Sequence, residues 1–313
     1  MNRTNAITDV RGIEVGHAQD EEALTGCTVI LCRKGAVAGV DVRGGAPGTR
    51  ETDLLNPVNL VDQVHAVVLA GGSAFGLDAA TGVMRYLEEN KIGFDTGTVK
   101  VPIVSAAILY DLGLGRADVR PDSAMGYRAA TSASSDPPAE GNVGAGAGAS
   151  VGKMRGMQYA MKAGIGTWSM DVNGITIGAL VAVNAIGDVV DPKNGEVIAG
   201  LRSGPSLQWM KTGQAESPIQ SNTVIGVIAT DAKLTKAGAT KVAQMAQDGV
   251  AQVVRPAHTM FDGDTIFALA TGQKDADISM VGTFAAEVMA EAIVRGVKMA
   301  ASAGGITGLL SKP

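Results

Sequence analysis

Gln220-Ser221-Asn222-Thr223-Val224-Ile225-Gly226-Val227-Ile228-Ala229-Thr230 carries a polar segment straight into an apolar, β-branched one. From Thr223 to Thr230 the composition is that of a buried strand. The stretch before it, Gly204 to Ser221, collects Pro205, Pro218, Lys211, Gln208, Gln214, Gln220 and several serines, and reads as an exposed linker. A hydroxyl residue therefore stands where linker meets strand. Thr begins strands readily, which is one reading of Thr223. The other reading is chemical. Breaking the Asn222–Thr223 bond would leave an α-amino group beside the Thr hydroxyl. Such an amine has a pKa of about 7.7–8.0, so it could take the proton of its own hydroxyl near neutral pH and make it a nucleophile.

Outward from the junction, the pattern predicts a helix over Lys233–Gly249, a strand over Thr265–Ala270 and a long Ala/Met-rich helix over Gly282–Ala303. On the other side Ile175–Asn184 is a long apolar strand. Gly141–Ser150 alternates Gly with Ala, which points to closely packed backbone rather than a flexible tether. Nearer the N-terminus, Thr28–Cys32 and Val37–Val42 read as two short strands, Arg43–Arg50 as a loop and Val64–Leu69 as a strand. A Gly71-Gly72 turn then leads into a helix over 74–89. This order predicts layered sheets with helices outside.

Composition narrows the function classes. The 313 residues are 46% apolar and 18% charged, which excludes a disordered chain. The formal charge of −5 argues against a partner bound through nucleic-acid phosphates. No run approaches the length of a membrane span, and the N-terminus lacks a signal-peptide apolar stretch, so a soluble cytoplasmic protein is expected. Cys27 and Cys32 bracket a strand-like run and read as buried free thiols. His17, His65 and His258 have no metal-ligand spacing. The Gly71-Gly72 turn opens a helix, a geometry that can receive an anion, but it matches neither nucleotide fingerprint. A non-catalytic nucleotide-binding module built on that turn is the competing expectation.

Several phrases, in order, carry a resemblance over nearly the whole chain. They are Thr8-Asp-Val-Arg-Gly-Ile-Glu-Val-Gly-His17, Asp41-Val-Arg-Gly-Gly-Ala-Pro-Gly-Thr-Arg-Glu-Thr-Asp53, Leu69-Ala-Gly-Gly-Ser-Ala-Phe-Gly-Leu-Asp78, Gly141-Asn-Val-Gly-Ala-Gly146, Val183-Asn-Ala-Ile-Gly-Asp188, the Asn222-Thr223 junction and Asp262-Gly-Asp-Thr-Ile-Phe-Ala-Leu-Ala-Thr-Gly272. With them the chain resembles the β-aminopeptidase family, also described as L-aminopeptidase/D-esterase (peptidase S58), which includes the nylon-oligomer (6-aminohexanoate oligomer) hydrolases.

The resemblance implies an α+β fold, a four-layer αββα sandwich of the N-terminal-nucleophile-hydrolase type. It implies one domain that cuts itself between Asn222 and Thr223 into residues 1–222 and 223–313. Thr223 would be the nucleophile. Asp262 and Asp264, two residues apart and so on one side of an extended segment, match the family's pair of Asp/Ser and Asp/Glu residues that orient the nucleophile and its amine. Asn184 matches an oxyanion-stabilising asparagine. Lys153 matches a lysine placed near the nucleophile in nylon-oligomer hydrolases, and Tyr110 a pocket tyrosine. Each has a plainer reading: a turn for Asp262 and Asp264, a polar strand end for Asn184, a surface lysine for Lys153 and core packing for Tyr110.

The implied activity is amide hydrolysis through an acyl-enzyme, with no metal or organic cofactor. The substrate would be a short peptide or amino-acid amide with a free N-terminal residue, or alternatively an ω-amino-acid oligomer. The implied assembly is a homotetramer, with neither nucleic acid nor membrane as partner.

Overall fold

The computed structural model describes residues 4–212 and 222–311. Among these, a nine-stranded sheet dominates. Its strands are β1 (Glu14–Asp20), β2 (Thr25–Val42), β3 (Thr49–Arg50), β4 (Gln63–Ala70), β5 (Val104–Ile108), β6 (Ile165–Val172), β7 (Ile175–Asn184), β8 (Thr223–Ala232) and β9 (Thr265–Lys274). The hydrogen-bonded order is β6-β7-β8-β9-β2-β4-β5-β3, with β1 on β2. Neighbours run antiparallel except β8 with β9 and β4 with β5.

The sheet folds over on itself. β2 has 18 residues and serves both halves: its first part pairs with β4, its last part with β9. Between them the register shifts, in the interval Leu31–Ala36. Gly35 lies there at φ +80, a left-handed conformation that glycine adopts without steric cost. The two runs expected as separate strands are thus one strand with a bulge, and the glycine that looked like a terminator is the bend.

Side-chain alternation sorts the core into three layers. Ile30, Val67 and Leu69 of one half meet Leu180, Ile225, Val227 and Phe267 of the other. On the outer face of the first half, Val29, Leu31, Ala66 and Val68 pack against helices α1 (Ala79–Glu89) and α2 (Ser123–Thr131). Across the molecule Ile177, Val181, Val224, Ile228 and Ile266 pack against α4 (Lys236–Val253) and α5 (Ile278–Lys298). The layers are helix, sheet, sheet, helix, as the resemblance implied. Thr235 caps α4 by accepting from Gly238 N–H at 3.1 Å, and Asp277 caps α5 by accepting from Met280 N–H at 2.8 Å.

β7 spans the residues expected of it. The helix expected over 74–89 is α-helical only from Ala79. Ser73–Asp78 is a 3-10 segment, tightened because Gly76 sits against the Gly71 carbonyl, where a Cβ would come within 1.9 Å. The linker expected over 204–221 contains a short helix, α3 (Ser206–Thr212), with Trp209 packed on the Met154, Ile186 and Leu201 cluster. The rest of that linker, 213–221, lies outside the described residues. Cys27 and Cys32 are free and buried, Cys27 under the α1/α2 layer and Cys32 between the sheet halves. No helix among the described residues is long and apolar enough to cross a membrane.

Candidate active site

The site forms where β7 ends and β8 begins. Their antiparallel register sets Asn184 directly opposite Thr223. Both lie on the sheet face that carries Ala182 and Ile225, toward the space between the two halves. Thr223 is 2% exposed and Asn184 fully buried. A parallel bridge joins Asn222 to Asp262, fixed by Asn222 N–H donating to the Phe261 carbonyl at 2.8 Å and Gly263 N–H donating to the Asn222 carbonyl at 2.7 Å. The Thr223 hydroxyl donates to that same Asn222 carbonyl oxygen in a short hydrogen bond. The carbonyl of the expected cleavage bond thus accepts from two donors at once.

The Asp262-Gly263-Asp264 segment, which follows a turn closed by Asp262 N–H donating to the Thr259 carbonyl at 3.1 Å, is pressed against the loop after β2. Arg43 N–H donates to the Asp264 carbonyl at 2.9 Å, and Ala46 N–H to the Asp262 carbonyl at 2.8 Å. A Cβ on Gly263 would lie 2.8 Å from the Ala46 carbonyl oxygen and 3.0 Å from Thr223 Oγ1, so the close approach needs glycine. Each carboxylate is then held differently. Asp264 Oδ1 accepts from Val224 N–H at 2.7 Å, and its Oδ2 accepts from His258 N–H at 3.0 Å and pairs with His258 Nδ1 at 2.8 Å. Asp262 Oδ2 accepts from the Thr259 N–H and hydroxyl. Burial, followed by the charge of Asp264, pushes Asp262 up to about 6.

On the other side of Asn184 lies Lys153, only 3% exposed. Its Nζ donates to the Asn184 carbonyl at 2.9 Å and to Asn184 Oδ1 at 2.7 Å. Burial pulls this lysine down to about 7, against the opposing pull of Asp262 and Asp111. The surface-lysine reading is therefore excluded. The Asn184 side chain also accepts from Ser150 N–H at 3.1 Å and donates from Nδ2 to the Tyr110 carbonyl at 2.9 Å. One of its two amide protons is thus engaged by the backbone of Tyr110, and the second remains for other use. Tyr110, Leu114, Ser150, Lys153 and Met157 line a cavity of about 50 Å³.

The structure brings Thr223, Asn184, Lys153, Asp262 and Asp264 into one hydrogen-bonded neighbourhood and sets Tyr110 on its cavity. Two participants went unread in the sequence. One is the Gly263 N–H, whose role depends on the turn. The other is His258, considered there only as a metal ligand, although its place six residues before Asp264 was the available signal. The other histidines lie elsewhere: His17 Nδ1 meets the Thr28 hydroxyl, and His65 Nδ1 accepts from Ile103 N–H.

At the Gly71-Gly72 turn a carboxylate already fills the place an anion would take. Asp111 Oδ1 accepts from Gly72 N–H and Oδ2 from the Thr25 hydroxyl, both at 2.7 Å. A buried side chain in that position removes the basis for a nucleotide site there.

Comparison with known proteins shows the family and the fold. The family model described as Peptidase family S58 matches residues 5–310. An uncharacterised aminopeptidase of Mycobacterium tuberculosis (strain ATCC 25618 / H37Rv) is 44% identical, with 96% of each chain covered. A 6-aminohexanoate-oligomer endohydrolase of Kocuria sp. (strain KY2) is 30% identical, covering 93% of this chain and 85% of that one. Among solved structures, a Burkholderia sp. beta-aminopeptidase superposes with a TM-score of 0.71 at 26% identity, over 98% of this chain and 91% of that one. An L-aminopeptidase D-Ala-esterase/amidase from Ochrobactrum anthropi, described as a variant of the Ntn-hydrolase fold, superposes with a TM-score of 0.74 at 22% identity, over 95% and 86%.

Proposed function

The chain belongs to peptidase family S58 and is a hydrolase of peptide or linear amide bonds; from that premise we propose that it processes itself at Asn222–Thr223 and then uses Thr223 as an N-terminal nucleophile. The observation that carries this reading is the Thr223 hydroxyl lying against the Asn222 carbonyl while Gly263 N–H polarises the same oxygen.

In self-processing, Thr223 Oγ gives up its proton as it adds to the Asn222 carbonyl carbon, whose oxygen takes the negative charge; that proton balances the one the departing nitrogen gains. The 2.7 Å bond from Gly263 N–H is in place to receive it. The C–N bond breaks, the Thr223 nitrogen leaves as an amine after gaining a proton, and an ester joins Asn222 to Oγ. Water hydrolyses the ester, leaving the Asn222 carboxylate and a free Thr223 amine. In turnover that amine takes the Oγ proton as Oγ attacks a substrate carbonyl. Asn184 supplies its remaining amide proton to the oxyanion, and water releases the acyl group. Lys153 and Asp262, brought to about 7 and about 6, are suited to exchanging protons near neutral pH.

The substrate class proposed first is a short peptide or amino-acid amide with a free N-terminal residue. Similarity to the 6-aminohexanoate-oligomer endohydrolase supports ω-amino-acid oligomer amides as the second. Thr223→Ala tests the reading. It should leave one full-length band on a denaturing gel and no amidase activity, whereas the native protein gives two fragments, the smaller beginning at Thr223. An active Thr223→Ala protein would end the assignment. Parallel assays on dipeptide amides and 6-aminohexanoate oligomers separate the two substrate classes.

A further inference from the structure

We propose that His258 is a positioning residue for the nucleophile: it fixes the orientation of Asp264 and offsets its charge, and so sets the proton affinity of the Thr223 amine. This rests on the reading of Thr223 as an N-terminal nucleophile.

The geometry begins with a backbone oddity. His258 holds φ at +57, a left-handed conformation that non-glycine residues rarely adopt. That turn aims two donors of one residue at one oxygen. The His258 N–H and ring Nδ1 reach Asp264 Oδ2 at 3.0 and 2.8 Å. The other oxygen, Oδ1, takes Val224 N–H at 2.7 Å. A carboxylate held at both ends cannot rotate, and its Oδ1 end fixes the backbone one residue after Thr223. The ring is largely shielded, with its side chain 16% exposed and that of Asp264 2%.

The charges around the ring define its second role. Burial disfavours the imidazolium, but the Asp264 hydrogen bond and charge, together with the Gln247 carbonyl on α4, more than restore it, while Arg43 opposes it. Arg43 is itself paired with Asp41 at 2.9 Å and lies 4.0 Å from Asp248 of α4. Asp262 is the remaining carboxylate in the group and feels the charge of Asp264. With His258 protonated, the His258–Asp264 pair is neutral. With it neutral or replaced, Asp264 presents a full negative charge beside the Thr223 backbone. That charge favours the ammonium form of the nucleophile's amine, the form that cannot act as base.

Two substitutions separate orientation from charge. Asn tolerates left-handed backbone and keeps an N–H donor, so His258→Asn should fold and process. Its acid limb of kcat/KM should lie roughly half a pH unit or more above the native one. His258→Ala removes the ring donor and should process more slowly, with kcat down about tenfold and KM little changed. An unmoved limb in His258→Asn together with native processing and kcat in His258→Ala would overturn the proposal.

Should either variant fail to fold, the ring is read directly. The chain has three histidines, so the His258 resonance is identifiable by NMR. It should titrate above the ordinary histidine range in Thr223→Ala, which keeps the pair intact. Adding Asp264→Asn should lower it by roughly half a unit or more; the same midpoint in both proteins overturns the coupling. The Thr223→Ala protein also isolates the premise. Amidase activity there would refute the nucleophile while leaving the histidine titration as a separate result.

Discussion

Lys153 and Lys162 sit nine residues apart, both are buried, and burial pulls both down to about 7. Their surroundings make them opposites. Lys162 has no exposed surface and donates to three backbone carbonyls, Gly146 and Ala149 at 2.9 Å and Ala163 at 2.6 Å. An ammonium has three protons, so this one is saturated. It pins the Gly-Ala loop to the following strand, with Asp111 as the nearby charge that favours its protonation. Lys153 donates to two acceptors among the described residues, both on Asn184, and lines the cavity beside Tyr110. A cation with every proton committed holds the chain in place. One with a proton to spare beside the proposed nucleophile, Thr223, is available for chemistry. Depressed proton affinity alone does not distinguish them; the count of partners does.

Lys162→Met offers the sharpest way to break this comparison. It removes a donor from three buried carbonyls: Gly146 and Ala149 each keep one backbone donor, Ala149 N–H and Ala163 N–H, while the Ala163 carbonyl loses the ammonium. With about 1–3 kcal/mol for each hydrogen bond to a charged group, a loss of roughly 3 kcal/mol in unfolding free energy is expected by chemical denaturation. Native stability should also rise as pH climbs from about 7 toward the ordinary lysine range. The unfolded chain still binds protons there that the buried lysines have released. The rise should be smaller in Lys162→Met. A variant as stable as the native protein would show that the three bonds do not hold the loop.

Lys153→Met should give the reverse profile, with kcat/KM and the processing rate both down about a hundredfold, equivalent to about 2.7 kcal/mol, and a smaller loss of stability. If the two methionine variants have the same profile, both lysines are structural. Asp111→Asn is the milder probe of the saturated end. Asn can still accept from Gly72 N–H but loses the charge near Lys162, so a cost of about 1–2 kcal/mol is expected in thermal unfolding, with self-processing retained. Loss of processing in this variant would place Asp111 in the chemistry instead.

The same contrast explains what could be read without coordinates. The places of Thr223 and Asn184 in the fold were legible because each stands at the end of an apolar run, and strand ends are fixed by composition, while a site role for Asn184 came from the resemblance alone. Asp262 and Asp264 were legible as a pair, but their partners were not. Val224 N–H and the His258 ring reach Asp264 only after β8 and β9 pair in parallel, a long-range event that leaves no local pattern. Lys162 was invisible for a related reason. A lysine is read as a surface residue, and nothing in Met161-Lys162-Ala163 announces three carbonyls converging on it. Asp111 stood beside the expected Tyr110, but its capture of Gly72 N–H depends on the β4–β5 register. The single long β2 was missed because Gly35 serves as a bulge where composition suggests a break.

The smallest expected effect is on the pH profile, and its sign follows from position. Lys153 reaches the proposed nucleophile through Asn184, its direct partner across the strand pair from Thr223. Asp264 reaches it through Val224 N–H. When charged, Lys153 opposes the ammonium form of the Thr223 amine and lowers its proton affinity. Removing it in Lys153→Met lets the amine hold its proton to higher pH, so the acid limb of kcat/KM moves up. Asp264→Asn removes a charge that favours the ammonium wherever His258 has shed its proton and no longer offsets it, and there the limb moves down. The first shift should be the lesser one, under about one pH unit, because Lys153 itself sheds its proton near 7 and is charged only on the acid side of that point. Rates measured from about pH 5.5 to 9 on chains that have completed processing decide it. Opposite shifts place both groups beside the amine. A limb unmoved in both variants would mean that neither charge is felt at Thr223, and Lys153 would then differ from Lys162 only in the number of its hydrogen bonds.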